Sequence, residues 1–331
     1  MLMRRIGLAV VLVLSLGLAP FAAQAQQTGK PQHIGFLPAG ESPAHRQQLE
    51  ALREGLRELG YEEGRAIAIT ALWPKTPSEL PELAASLVKR NVELIVAPST
   101  PAVRALKRVT QTIPIVFALA ADPVGSGLVA NLARPGGNIT GLSQLNIELS
   151  GKRLELLHET SPFRRAVVLW FAPDDSEALD TLTAIWQETE RRGRALSIEL
   201  RLLKVARIEE LAVAIGGLHR RQDGGLIVLP TPLAIAHAST IADLALKQRL
   251  PAVSLADFAD RGGLMAYGVD YDDQMRRAAT YVDRILKGAS PGDLPVQQAS
   301  KFQLVINLKT AKTLGLTIPQ SVLLRANQII E

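Results

Sequence analysis

The chain carries its own pattern twice. The run IVAPSTPA from Ile95 to Ala102 returns as IVLPTPLA from Ile227 to Ala234. A helical stretch follows each copy, and then a second apolar run: TIPIVFALAADP in one half and RLPAVSLADFAD in the other, with Asp122 and Asp257 similarly placed. PGGNITGLS (Pro135 to Ser143) is answered in turn by RGGLMAYGVD (Arg261 to Asp270). A repeat of this length, whose strand-like runs end in polar loops, predicts two similar lobes facing one another across a cleft. The length of 331 residues agrees, because one hydrophobic core seldom organises so many.

Within each half, short β-branched or apolar runs alternate with longer amphipathic ones, the pattern of βα units around a mostly parallel sheet. The expected fold is α/β, with two Rossmann-like lobes of parallel sheet. Strands are expected at His33 to Leu37, Ala66 to Leu72, Leu94 to Ala97, Pro114 to Ala118 and Ile139 to Leu142, then at Ala166 to Phe171, Ala195 to Leu202, Leu226 to Leu229, Ala252 to Leu255 and Leu264 to Tyr267. A helix from Ile147 to Glu159 carries the chain between lobes. The helix Tyr271 to Lys287 and the tail KFQLVINLKTAKTLGL remain after the repeat, so the chain is expected to cross again. The lobes are then discontinuous: 26–144 plus about 271–297, and 145–270 plus about 298–331. Several crossings make a multi-strand hinge, and a hinge permits closure over a ligand.

Arg4 and Arg5 precede the apolar stretch Ile6 to Ala19, followed by Ala23-Gln24-Ala25, a small-residue cleavage site. Residues 1–25 therefore read as a secretory signal peptide, with the mature chain starting at Gln26 in the periplasm. With no cysteine in the chain, no lipid anchor at the cleavage site and no disulfide is expected. The 37 basic and 32 acidic residues are scattered without a basic stripe, which argues against a nucleic-acid partner.

In an open parallel sheet, ligands meet the carboxyl ends of strands, where helix N-termini offer unpaired amides. Ser99 and Thr100 stand at such a place, and Thr231 holds the matching one in the second half; each is equally an ordinary helix cap. Asp122 and Pro123 follow the fourth strand, and Asp270 follows LMAYG; a carboxylate there suits an ammonium group or a turn. Aromatic residues make up only 4% of the chain, so Trp170 and Phe171 at one strand end, and Tyr267 and Tyr271 around the last loop, are candidates either to cover an apolar ligand moiety or to fill the core.

Signals for chemistry are missing. The five histidines His33, His45, His158, His219 and His237 lack metal-ligand spacing. No nucleophile elbow or phosphate loop is present. Gly125 to Ala130, GSGLVA, imitates a dinucleotide fingerprint, but Asp122-Pro123 separates it from its strand and Arg134-Pro135-Gly136-Gly137 cuts the helix that should follow. No catalytic residue, metal or cofactor is expected.

The stretches LREGLRELGYEEGR, PELAASLVKRNVELIVAPSTPA, TIPIVFALAADPVGSGLVANLARPGGNITGLS, LSGKRLELL, IADLALKQRLPAV, GGLMAYG and KFQLVINLKTAKTLGL span nearly all of the mature chain. In them the chain resembles the substrate-binding proteins of ABC transporters that have the type I periplasmic-binding-protein fold, a family that includes binders of aromatic amino acids. The resemblance implies a small-molecule ligand, an amino acid among the candidates and aromatic ones included. It also implies an inner-membrane permease with a separate ATPase as partners, and a cleft lined by Leu37 to Gly40, Ser99-Thr100, Asp122-Pro123, Trp170-Phe171, Thr231 and Tyr267 to Tyr271. One departure stands out: WFAPDD occupies the loop where relatives commonly carry Asn-Pro. A periplasmic sensor or, further off, a periplasmic enzyme are the alternative functions.

Overall fold

The computed structural model describes residues 31–120, 122–144, 147–172 and 179–331. The expected signal segment 1–25 and residues 173–175 of the WFAPDD loop lie outside the described residues. The first lobe is built on β1 (Gln32–Phe36), β2 (Ile67–Ala71), β3 (Leu94–Ala97), β4 (Ile115–Ala120), β5 (Ile139–Ser143) and the short β11 (Gln297–Gln298). They form one sheet in the order β11-β5-β4-β3-β1-β2, parallel throughout. The second lobe is built on β6 (Arg165–Phe171), β7 (Glu199–Val205), β8 (Leu226–Val228), β9 (Ala252–Ser254), β10 (Met265–Val269), β12 (Phe302–Asn307) and β13 (Gln328–Ile330). Its order is β13-β12-β10-β9-β8-β6-β7, and only β12 against β10 is antiparallel. The series β2-β1-β3-β4-β5 and β7-β6-β8-β9-β10 correspond strand for strand, so the sequence repeat is also a repeat of topology.

Helices α1 (Pro43–Glu58), α2 (Leu80–Lys89) and α3 (Thr100–Val109) flank the first sheet. The second is flanked by α4 (Ile147–Thr160), α5 (Leu179–Ala195), α6 (Ile208–Gly216), α7 (Arg220–Asp223), α8 (Pro232–Ala236), α9 (Ala238–Lys247), α11 (Leu308–Thr313) and α12 (Gln320–Leu323). Helix α10 (Tyr271–Leu286) returns to the first lobe and packs along α1. Gly55 allows this approach, since a Cβ there would come within 2.6 Å of the Arg276 carbonyl oxygen.

Successive strand residues point to opposite faces, which gives each sheet two buried layers. In β3, Leu94 and Val96 join the layer under α1 and α10, while Ile95 and Ala97 join the layer under α2 and α3. One expected strand is displaced. The Ala195 to Leu202 segment begins as helix: α5 runs on through the Glu- and Arg-rich stretch to Ala195, Ser197 turns with φ of 57°, and β7 starts only at Glu199.

The chain passes between the two sheets three times: from β5 into α4, from β10 into α10, and from β11 into β12. At the crossings the Ala299 amide donates to the Ser143 carbonyl at 3.0 Å, and the Asp270 amide to the Lys301 carbonyl at 3.1 Å. All three leave from the carboxyl ends of β5, β10 and β11, so the carboxyl edges of the two sheets adjoin a multi-strand hinge.

Candidate functional site

The carboxyl edge of the first sheet is where the polar groups of that lobe gather. Ser99 caps α3 with extended backbone, and Pro101 sits in the first turn, where the missing amide costs nothing. Its hydroxyl makes no capping bond; Oγ is buried and has no hydrogen-bond partner among the described residues. Thr100 begins the helix beside it. Three further buried side-chain oxygens of the lobe lack partners among the described residues: Gln144 Oε1 just past β5, Gln48 Oε1 on α1 and Asp273 Oδ2 on α10. Sequence reasoning missed both glutamines. Each unmatched acceptor is costly in a protein interior, which makes such a group informative about what it meets.

Asp122 folds its carboxylate back onto its own turn. Oδ1 accepts from the Gly125 amide at 2.8 Å, and the Asp122 carbonyl accepts from the Ser126 amide at 2.9 Å. Pro123 beside it is buried. Asp270 caps α10, its Oδ1 accepting from the Asp273 amide at 3.0 Å.

In the second lobe, three of the expected contact residues, Thr231, Phe171 and Trp170, are buried. The Thr231 hydroxyl is fully buried, donating to the Phe171 carbonyl at 2.5 Å and accepting from the Ala234 amide at 3.0 Å. Phe171 is 0% exposed in the layer under α6, α8 and α9. Trp170 points the opposite way, into the layer under α4 and α5, with the Lys204 ammonium 5.0 Å from its ring centre. The strand's alternation drives both rings into cores because both faces of this sheet are covered.

Tyr267 and Tyr271 are half-buried on either side of the Asp270 crossing. Burial, with the Asp257 carboxylate nearby, pushes the Tyr271 phenol above its ordinary range. Beside them lies a residue that sequence reasoning passed over. Arg153 on α4 is 1% exposed, and its Nε donates to the Tyr267 carbonyl at 2.7 Å. A signal was available: Ser150, Arg153, Leu154 and Leu157 follow the spacing of a buried helical stripe, and all four are buried.

Two depressions of about 370 and 380 Å³ lie at the opposite, amino-terminal edge of the second sheet, around Arg165, Gln222 and their neighbours. There Arg165 pairs with Glu199 and Arg201 with Asp223, while Arg164, Arg220 and Arg221 also line the second depression. Among the described residues no group of three or more His, Cys, Asp or Glu side chains is placed to hold a metal, and no helix is long and apolar enough to cross a membrane.

Comparison with known proteins agrees with this geometry. A family model described as ABC transporter substrate binding protein matches residues 34–330. A conserved domain protein from Vibrio cholerae superimposes with a TM-score of 0.79 at 28% identity, covering 91% of this chain and 100% of that one. An ABC domain from Streptococcus pneumoniae, solved in complex with L-Trp, gives 0.78 at 25% identity, with the same 91% and 100% coverage. A tyrosine-binding protein from Clostridioides difficile is 25% identical over 293 residues, 87% of this chain and 82% of its own length.

Proposed function

The chain belongs to the family of ABC transporter substrate-binding proteins, and on that premise we propose that it works in the periplasm, capturing an amino acid, aromatic ones included, between its two lobes. Its fold and family are those of solute-binding components, not of catalysts. Family membership implies a cognate permease and ATPase, to which the closed, loaded protein delivers its solute. The observation that carries the reading is the buried, unpartnered Ser99 hydroxyl at the start of α3, with Gln144 Oε1 on the same edge. A hydrogen-bonding solute would satisfy both, and the two similar proteins named for tyrosine and L-Trp support an amino acid. The half-buried rings of Tyr267 and Tyr271 suit an apolar side chain better than Trp170 and Phe171, which are committed to the cores.

The test is to purify the mature protein without denaturation, identify any small molecule released from it by mass spectrometry, and titrate it with the twenty amino acids by calorimetry. Recovery of an unaltered amino acid, or saturable binding of one, is expected. A protein that retains and binds only a sugar or polyol would remove the amino-acid reading; turnover of the bound compound would remove the transport reading.

A further inference from the structure

Two charged side chains are buried among the described residues, Arg153 and Asp273. Asp273 meets Lys301 at 2.6 Å. Arg153 meets no carboxylate: its Nε is spent on the Tyr267 carbonyl oxygen, and its buried Nη2 finds no hydrogen-bond partner among the described residues. The phenols of Tyr271 and Tyr267 lie within electrostatic reach, but a phenol is anionic only above about pH 10, and burial pushes Tyr271 higher still. Burial lowers the guanidinium to about 10, which leaves it charged at neutral pH with no carboxylate paired to it among the described residues. Such a charge is expensive in an interior unless an anion and full hydrogen bonding compensate it. A leucine would complete the buried stripe of α4 at lower cost, so packing alone does not account for an arginine here.

The surroundings say where the missing anion comes from. Tyr267 is the middle residue of β10, just before the Asp270 crossing, and Tyr271 opens α10, so Arg153 lies beside that crossing. Arg153 and Tyr267 belong to the second lobe, whereas Tyr271 heads the helix packed on α1 in the first. Any change of angle between lobes therefore alters what covers the guanidinium. We infer that Arg153 is the carboxylate receptor of the solute site, its free N–H taking the carboxylate of an amino-acid-like ligand and selecting for solutes that carry one. The inference rests on the solute-binding reading above. It seats the anion at Arg153 in preference to the helix N-terminus at Ser99 and Thr100. A helix N-terminus offers about half an elementary charge, while a guanidinium offers a whole one in a fork that matches two carboxylate oxygens.

The experiment compares wild type, Arg153→Gln and Arg153→Lys by calorimetric titration with L-tyrosine, L-tryptophan, and their counterparts without the carboxylate, tyramine and tryptamine. Thermal melts and native mass spectrometry of each protein accompany the titrations. Wild type should prefer the amino acids at least a hundredfold. Arg153→Gln should melt no lower than wild type, because an unbalanced charge has been removed, and should hold amino acid and amine about equally weakly. Arg153→Lys keeps the charge without the fork, so it should retain part of the preference; if the glutamine variant fails to fold, the lysine variant carries the test. Wild-type preference in a folded variant, or equal binding of amine and amino acid by wild type, overturns the assignment. If wild type ignores all four probes but retains a neutral solute, Arg153 is not a carboxylate receptor while solute binding stands. If wild type neither retains nor binds anything, both readings fall.

Discussion

Ser99 and Thr231 stand at the same point of the two repeats, each capping the helix that follows its copy of the IVAP or IVLP run, yet only one of the two hydroxyls is used. Thr231 Oγ1 bridges the Phe171 carbonyl and the Ala234 amide, whereas Ser99 Oγ has no partner among the described residues. The two halves have kept one topology while dividing its duties: the second spends its cap on its own core, and the first leaves its cap free.

The pair should accordingly respond in opposite ways to alanine. Thr231→Ala removes a cap and strands a buried carbonyl, a loss of about 1–2 kcal/mol of stability in urea denaturation. Ser99→Ala should leave stability within about 0.5 kcal/mol and weaken solute binding roughly tenfold, the worth of one hydrogen bond. A Ser99→Ala protein with wild-type affinity would take Ser99 out of the site.

Phe171 gives a second separation of roles. With its ring fully enclosed, Phe171→Ala should cost about 3–5 kcal/mol by the same denaturation measurement. The fraction that remains folded should bind solute as wild type does, when titrated well below its melting temperature.

Alkaline pH reports on the contact between α1's end and α10. The Tyr61 hydroxyl donates to the Asp283 carboxylate at 2.9 Å, and burial together with that bond and charge pushes the phenol up to about 12. The folded state then holds this proton more tightly than the unfolded chain does. Stability from this group is complete below about pH 10 and falls as pH climbs through about 12. Tyr61→Phe should lose that part of the alkaline slope, along with the portion of the tyrosinate absorbance that rises near pH 12.

Two glycines distinguish backbone strain from collision. Gly60 has φ of 89° with nothing within 4 Å of a built Cβ, so Gly60→Ala should cost about 1–2 kcal/mol from conformation alone. Gly141 has φ of 149° and would put its Cβ 1.9 Å from the Phe117 carbonyl oxygen, so Gly141→Ala adds a clash between β4 and β5. It should lower the urea midpoint by clearly more than Gly60→Ala does.

The strands were legible because β3 and β4 are buried on both faces and read as unbroken apolar runs. The start of β7 was not, since its half-exposed residues follow a helix whose Arg and Glu content gives no stop until the turn at Ser197. The position of Ser99 at the head of α3 was legible from proline and strand end together. Trp170 and Phe171 drew attention by rarity, but rarity of aromatics does not tell a core-facing ring from a ligand-facing one when both sheet faces are covered. Arg153 escaped because a cation inside a helix usually belongs to a solvated face, and only its register with Ser150, Leu154 and Leu157 betrays its burial.

The return of α10 to the first lobe sets an order of events during synthesis. Met275, Ala278, Ala279, Tyr281 and Val282 close the layer over β1 and β3, and they are made only after every strand from β6 to β10. A nascent polypeptide that has reached Val269 already contains nearly all of the second repeat but still leaves one side of the first sheet covered by α1 alone. The earlier-made half is therefore the later to be sealed, and a chain severed between the repeats would leave the first lobe without α10 and β11 while the second kept all of its strands.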